Sequence, residues 1–97
     1  MLWVTGIGLA LSVLASHEAA GKPGGPLAEI RMETPVRPVA VLADGTRVVL
    51  GEGDYDEKMA RLSRVMSALS RQGKGAERVR LDDDRRPERV AVRLRAR

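Results

Sequence analysis

The middle of the chain shows two apolar runs separated by a short polar break. Val36–Ala43 is rich in β-branched residues, Asp44-Gly45 follows, and Thr46–Gly51 is again mostly apolar. An Asp-Gly pair between two such runs is a strong signal for a β-hairpin, because both central turn positions tolerate positive φ. Pro38 indicates that the early part of the first strand lies at an edge or bulge. We therefore predict strands over 36–43 and 46–51 joined by a tight turn.

An amphipathic helix is predicted directly after this hairpin. Asp54 is a good N-cap, and Glu57 stands three positions later, as in a capping box. Apolar residues then recur at steps of four and three, which places them on one helix face: Tyr55, Met59, Leu62, Met66 and Leu69. Charged residues fall mostly on the other face: Glu57, Lys58, Arg61 and Arg64. With Gly73 or Gly75 as a left-handed cap, the helix is expected near 55–71, its apolar stripe facing the core.

The last part of the chain alternates as two strands around a polar turn. Val79 and Leu81 point one way in the run near 77–82. The run near 89–95 is expected to place Val90, Val92 and Leu94 inward, with Arg89, Arg93 and Arg95 outward. A terminal strand with one charged face is typical of a sheet edge, since charge discourages uncontrolled pairing.

The first third of the chain is apolar and then rich in glycine and proline. Leu2–Ala15 is shorter than the roughly 20 residues of a comfortable membrane span. A short helix is predicted near 9–20, followed by a Gly/Pro loop over 21–26 and a strand near 27–33. The same apolar run has the core and small residues of a signal peptide, although no Lys or Arg precedes it, and that interpretation stays open.

These elements predict a single α+β domain over 1–97, in which helices pack on an antiparallel or mixed sheet. Trp3 and Tyr55 are the only aromatic residues among the 97. A core of Leu, Val, Ile, Met and Ala buries less area per side chain than one with aromatics, so we expect modest stability.

No grouping of residues along the sequence predicts catalysis. The chain has no Cys and a single His, which argues against a thiol nucleophile, a disulfide or structural zinc. His17 stands near the end of a predicted helix, where compensation of the helix dipole or solvation is expected. Asp82-Asp83-Asp84 lacks the Gly and distal Glu of a calcium loop, and Arg85-Arg86 beside it indicates a self-neutralising turn. We expect no enzyme activity, cofactor or metal.

Positive charge is concentrated at the end of the chain. Residues 71–97 carry ten Lys and Arg against five Asp and Glu, whereas residues 1–70 carry seven against eight. A basic tail attracts nucleic acid, so a small nucleic-acid-binding protein is one functional hypothesis. The competing interpretation is a solvated basic strand, because neither aromatic stacking residues nor a basic helix face accompany the charge.

Five segments resemble the C-terminal β domain of the bacterial cell division family FtsQ/DivIB, in the order that the family has them. The most characteristic is Val48–Asp54 followed by Lys58, Leu62 and Val65, which is similar to a strand ending in Leu-Gly before a helix with a Lys-x-x-x-Leu pattern. The other segments are Leu2–Gly6, Pro26–Ile30, Val79–Leu81 and Pro87–Arg93. Trp3 replaces the usual Pro, Asp82-Asp83 replaces the usual Arg-Tyr, and the stretch between Gly6 and Leu9 is shorter than in the family.

The resemblance implies a scaffold role in septum formation. Family members carry a cytoplasmic tail, a membrane helix and a polypeptide-transport-associated domain before this region, so the chain is expected to be a partial domain. They lie in the inner membrane with this domain outside the cytoplasm, and they bind FtsB and FtsL. Their final strand accepts a strand from FtsB, which is β-augmentation. The corresponding edge here consists of Arg89, Val90, Ala91, Val92, Arg93, Leu94 and Arg95. A gene remnant without function is the third hypothesis.

Overall fold

The computed structural model describes residues 2–34, 37–51, 54–83, 85–86 and 89–95. Two helices and five strands follow one another as α1 (Leu2–Ala19), β1 (Leu27–Thr34), β2 (Arg37–Leu42), β3 (Arg47–Val49), α2 (Tyr55–Arg71), β4 (Ala76–Arg80) and β5 (Ala91–Leu94). The strands form one sheet in the order β1-β2-β3-β4-β5. Neighbours are antiparallel except β3 and β4, which are parallel and connected through α2. The predicted α+β class with a mixed sheet is confirmed.

One face of the sheet is covered by both helices. Val13 of α1 and Met59 and Leu62 of α2 are fully buried in the same core cluster. The sheet contributes Ala40, Leu42, Val48 and Val79, together with Leu50 and Leu81 just beyond the strand ends. Ala40, Val48, Val79 and Val92 are paired in register across four neighbouring strands, so they share the face that meets the helices.

The hairpin of β2 and β3 is confirmed, but its turn is longer than predicted. Leu42 and Thr46 are bonded through the Leu42 N–H and the Thr46 carbonyl at 2.9 Å, which leaves three residues in the loop. The Gly45 N–H donates to the Leu42 carbonyl at 2.9 Å, and Gly45 has φ of 92°. Asp44 does not have positive φ, so this is a type I turn with a glycine bulge rather than a two-residue turn.

Helix α2 begins and ends where the sequence predicts. The Asp54 carboxylate accepts from the Glu57 N–H at 3.1 Å and caps the first turn. At the other end, the N–H groups of Gly73 and Lys74 donate to the carbonyls of Ser70 and Leu69 at 3.0 and 2.9 Å. This is the Schellman arrangement, and it identifies Gly73 as the left-handed cap.

The prediction that Lys58 and Arg61 lie on the solvent face of α2 is wrong. Lys58 is 2% exposed and its ammonium group donates to the Leu50 carbonyl. Arg61 is also buried, and its guanidinium donates to Glu57 at 3.1 Å. Alternation of polarity along a helix assigns such residues to solvent. This pattern gives no information on the Leu50 carbonyl, which lies just beyond β3 and needs a hydrogen-bond donor.

Helix α1 is longer than predicted, since it begins at Leu2 instead of Leu9. No residue with a capping side chain stands immediately before Leu9, so the sequence has no start signal for a helix there. The helix continues through Gly6 and Gly8, although glycine disfavours a helix interior. His17 is not solvated. It is 1% exposed, and its Nε2 lies 3.1 Å from the Pro23 carbonyl, to which it donates. Within the described ranges, no helix is long and apolar enough to cross a membrane.

The strands are predicted at the right places, although most are shorter than expected. The early part of the strand predicted over 36–43 includes Val36, which lies outside the described residues. The strand predicted over 89–95 is regular from Ala91 to Leu94. Leu94 is not an inward residue but is 46% exposed. A bulge between Ala76 and Arg78 shifts the pairing of β4 with β5. The alternation of core-facing and solvent-facing residues along β5 therefore does not bury Leu94.

Candidate partner-binding edge

The strand β5 forms one outer edge of the sheet. It pairs with β4 through Arg80 and Ala91, Val79 and Val92, and Arg78 and Arg93. In the described part of the chain, no strand pairs with its other side. A row of backbone N–H and C=O groups therefore faces outward along β5, which is the template that strand addition uses.

The direction of these backbone groups follows from one bond beyond the strand. The Arg95 N–H donates to the Gly75 carbonyl at 3.0 Å, so it points towards β4. In an antiparallel strand the backbone groups of successive residues point to opposite sides. Arg93 and Ala91 thus face β4, whereas the N–H and C=O of Val92 and Leu94 face the open edge. Val92 lies in the middle of β5 and is therefore the central residue whose N–H and C=O face the open edge.

The side chains of the predicted edge divide into three groups. Val90 and Val92 are half-buried and pack against the core cluster, as predicted. Arg89, Ala91 and Arg93 are exposed, and Arg93 lies 3.6 Å from the Glu77 carboxylate. Leu94 and Arg95 end the edge, also exposed. The edge thus presents basic side chains together with those of Ala91 and Leu94.

Arg95 ties the end of β5 to the tip of the central hairpin. Its guanidinium donates to the carbonyls of Asp44 and Ala76, each at 3.1 Å, and to the Thr46 hydroxyl at 3.3 Å. Burial disfavours ionisation of Asp44. Hydrogen bonds from Thr46 and the charge of Arg95 outweigh that effect, so the pKa of Asp44 lies below its ordinary value of 3.8. This clamp fixes one end of the candidate edge.

An ionic cluster lies at the other end of β5, where β4 ends. Asp82 accepts from Arg80 at 3.0 Å and from Arg37 at 3.3 Å. The hydrogen bond and charge of Arg80, aided by Arg37, outweigh partial burial and hold the pKa of Asp82 below its ordinary 3.8. An open cavity of about 770 Å³ lies between this cluster and β5, lined by Arg80, Asp82, Asp83, Arg89, Val90 and Ala91.

The predicted self-neutralising turn is only partly present. Asp82 pairs with arginines of β2 and β4, and not with the neighbouring arginines of the turn. Asp83 does accept from the Arg86 N–H at 3.3 Å. Asp84 lies outside the described residues. Within the described ranges, no three His, Asp or Glu side chains are grouped closely enough to hold a metal ion.

Two positions that support the edge were not recognised as such from the sequence. Gly51 has φ of 66°, and a Cβ there would lie 2.9 Å from the Asp82 Cβ, so only glycine fits beside the end of β4. Lys58 anchors the same corner through the Leu50 carbonyl. Both residues belong to the segment that resembles the division family, which was the available signal. The contacts that explain these two residues, with Asp82 and with the Leu50 carbonyl, are visible only in the structure.

Comparisons of the sequence with known proteins identify the family of this chain. The family model for the cell division protein FtsQ/DivIB, C-terminal, matches residues 5–93. A cell division protein FtsQ from Anaeromyxobacter sp. (strain K) is 39% identical over 92 residues, which are 94% of this chain and 31% of that protein. A cell division protein FtsQ from Myxococcus fulvus is 43% identical over 68 residues, or 70% of this chain and 24% of that protein.

The chain therefore spans about a third or less of the length of the curated relatives it matches. No solved structure matches it significantly. The family match covers nearly the whole chain, and it includes the hairpin, α2, β4 and all of β5 except Leu94. This chain belongs to the FtsQ/DivIB family of bacterial cell division proteins, to whose C-terminal region it corresponds.

Proposed function

We propose that this chain is a non-catalytic binding module of the division machinery that accepts a strand from a partner at β5. The single observation that supports this most is the position of β5 as an outer strand, with the backbone groups of Val92 and Leu94 directed away from β4. A partner strand there would extend the sheet to six strands. The main-chain bonds would provide affinity, and the side chains along the edge would provide specificity.

The side chains of the edge favour an acidic partner strand. Arg89 and Arg93 are exposed, and the open cavity beside Arg89 and Val90 offers space for a partner side chain. Carboxylates opposite these arginines would form charge-assisted hydrogen bonds. We propose a partner of the FtsB or FtsL type, bound on the extracytoplasmic side of the inner membrane, where the full-length family places this domain.

The test is a pair of substitutions at Val92. Val92→Pro removes the central outward N–H, while the bonds of Ala91 and Arg93 to β4 remain. Val92→Ala removes a similar amount of side-chain packing but keeps the N–H. We expect Val92→Pro to weaken binding of the FtsB-type protein from the same organism by about tenfold or more, and Val92→Ala to weaken it much less.

Binding is measured by isothermal titration calorimetry, after circular dichroism has shown that both variants keep the fold. Equal affinities of Val92→Pro and the unchanged chain would rule out strand addition at β5. Equal losses in both variants would mean that the side chain of Val92, and not its backbone, carries the interaction.

A further inference from the structure

The two helices form a continuous surface on the side away from the sheet. Helix α1 contacts β1 and β2, α2 contacts β4, and the two helices contact each other, so they lie side by side on one face of the sheet. The sides of both helices that lie opposite the core therefore face in the same direction. We call this side the helical surface. Its main side chains are Leu11, Leu14, Arg64 and Arg71, with Lys22 and Lys74 just beyond the helix ends.

The α1 part of the helical surface is apolar. Helix α1 carries no Asp, Glu, Lys or Arg before Glu18. Val13 is buried on the side that meets the core, whereas Leu11 is 60% exposed and Leu14 is 37% exposed. A helix that is apolar on all sides is normally covered on all sides. Within the described residues these two leucines stay uncovered, so this side of α1 is available to an apolar partner.

The α2 part of the helical surface is basic. Residues 58–76 include five Lys and Arg and no Asp or Glu. Lys58 and Arg61 are buried, but Arg64 and Arg71 are exposed and lie about two turns apart on the side opposite the core. No carboxylate of the described residues lies within ion-pair distance of Arg64 or Arg71. Their positive charge is therefore available to an anionic partner.

A cleft of about 990 Å³ opens where both helices end. It is lined by residues that directly follow each helix, and Lys22, Arg71 and Lys74 provide its positive charge. Asp44 is the acidic residue of this lining, and Arg95 lies 3.9 Å from its carboxylate. The hydroxyl groups of the lining belong to Ser63, Ser67 and Ser70. Lys and Arg together with hydroxyl donors suit a phosphate group, so the cleft provides the donor types that bind one.

The acidic residues of the two helices do not cancel this charge. Asp56 and Glu57 lie in the first turn of α2, at the end away from the cleft, and Glu57 is paired with Arg61 at 3.1 Å. Glu18 is exposed at the end of α1, where Lys22 follows it at the cleft. The positive charge of the helical surface is therefore concentrated along the second half of α2 and beside the cleft.

We infer that the helical surface docks on an anionic lipid membrane. Leu11 and Leu14 would enter the boundary between headgroups and acyl chains, while Arg64 and Arg71 would meet the lipid phosphates. Exposed leucines bind this boundary through their apolar area, and nearby Lys and Arg add electrostatic attraction to anionic lipids. This goes beyond the proposed strand addition and uses a different surface, so β5 would stay free for its partner.

The combination of apolar and basic side chains favours a membrane over other partners. Nucleic acid provides phosphates but no apolar layer for Leu11 and Leu14. A second copy of the chain would place Arg64 and Arg71 against the same cations of its neighbour, and like charges repel each other. An acidic protein would need a preformed pocket for each protruding leucine, whereas a fluid bilayer adapts to both.

The test is binding of the full chain to lipid vesicles, measured by co-sedimentation. One set of vesicles contains equal parts of phosphatidylglycerol and phosphatidylcholine, and the control set contains phosphatidylcholine alone. We expect binding to the anionic vesicles that weakens at high salt, and at least about tenfold weaker binding to the control vesicles. Glycerol phosphate, which offers the phosphate without acyl chains, should not displace the chain at up to about 1 mM.

The positive charge of the helical surface is tested with R64Q together with R71Q. The matched control is R47Q together with R78Q, which removes the same charge from the other face of the sheet, where Arg47 and Arg78 are paired across β3 and β4. The first pair should lower affinity for the anionic vesicles by about tenfold or more, and the control pair by less than about twofold. All four arginines are exposed, so circular dichroism should show an unchanged fold in both.

The apolar part of the helical surface is tested at Leu11, which is more exposed than Leu14. Leu11→Ser should lower affinity for the anionic vesicles by about fivefold or more, since a serine has little apolar area to insert. Leu11→Met keeps an apolar side chain of similar size and should change the affinity by less than about twofold. The comparison at one position separates insertion into the bilayer from attraction by charge alone.

Four results would contradict the inference. One is equal binding to both sets of vesicles, or none to either. Another is an equal loss from the control pair of arginine substitutions. A third is full affinity of Leu11→Ser, or displacement by glycerol phosphate, because either would mean that phosphate alone is bound. The fourth is a dimer of the chain, or a complex with short duplex DNA, that forms more tightly than the vesicle complex. Val92→Pro leaves the helical surface intact, so it should keep vesicle binding even if strand addition at β5 fails its own test.

Discussion

Leu62 in the centre of α2 tests whether that helix holds the sheet together. Its side chain is fully buried in the core cluster. Leu62→Ala removes about three methylene equivalents at about 0.8 kcal/mol each, or about 2.4 kcal/mol of transfer free energy. The cavity left behind adds about 24 cal/mol for every Å³ that does not collapse, so the total loss should be about 2–5 kcal/mol. A chain of this size has a free energy of unfolding of about 5–15 kcal/mol. The variant should therefore still fold, but with a much smaller free energy of unfolding.

The assay is urea unfolding followed by far-ultraviolet circular dichroism, from which the free energy and its slope against urea are both obtained. The slope should be unchanged, since the surface exposed on unfolding is nearly the same. Leu11→Ala is the matched control, because Leu11 is 60% exposed on α1 and the same truncation there should cost less than about 0.5 kcal/mol. A loss below about 1 kcal/mol for Leu62→Ala, or equal losses for both variants, would show that α2 does not form the core described above.

Two further predictions concern the corner between β3 and β4. Gly51→Ala should destabilise the chain by more than Gly73→Ala, measured by urea unfolding: the two glycines have φ of 66° and 68°, but only at Gly51 would a Cβ meet another residue, 2.9 Å from Asp82. Equal losses would mean that Asp82 moves aside without cost. Stability should fall as the pH is lowered below about 4, because the pKa values of Asp82 and Asp44 are depressed in the folded chain and the unfolded chain then binds more protons. Asp82→Asn should be less stable near neutral pH and approach the unchanged chain in acid, and parallel curves for the two proteins would contradict this role.

Local signals in the sequence predicted the elements that depend on few neighbours. The hairpin follows from Asp44-Gly45, and α2 follows from its capping residue and the spacing of its apolar residues. The order of the strands could not be predicted in this way. It depends on the parallel pairing of β3 with β4, a contact between segments separated by the whole of α2. Such pairing depends on which apolar faces pack against each other. The periodicity of the sequence predicts the apolar face of each strand, but it does not predict which strand lies next to it.

The candidate edge was predicted in position but not in detail. Alternation correctly placed Val90 and Val92 against the core. It failed at Leu94, where the bulge in β4 shifts the register, because a bulge leaves no trace in the alternation of the partner strand. It also failed at Lys58, whose long aliphatic stem crosses the core boundary so that its ammonium group reaches the Leu50 carbonyl. Both errors concern contacts between different secondary-structure elements, which the pattern within one element does not show.

The sheet of the described residues has two outer strands, and their construction supports the proposal that β5, and not β1, accepts a partner strand. The pairing of β1 with β2 is shifted twice, between Leu27 and Glu29 and between Met32 and Thr34. Bulges of this kind twist an edge and protect it from pairing. The single shift at β5 lies at its far end, beside Ala76, and three successive residue pairs remain regular. The regular part of β5, which includes Val92, is therefore free of the register shifts that flank the regular part of β1 on both sides, and this supports β5 as the proposed docking strand.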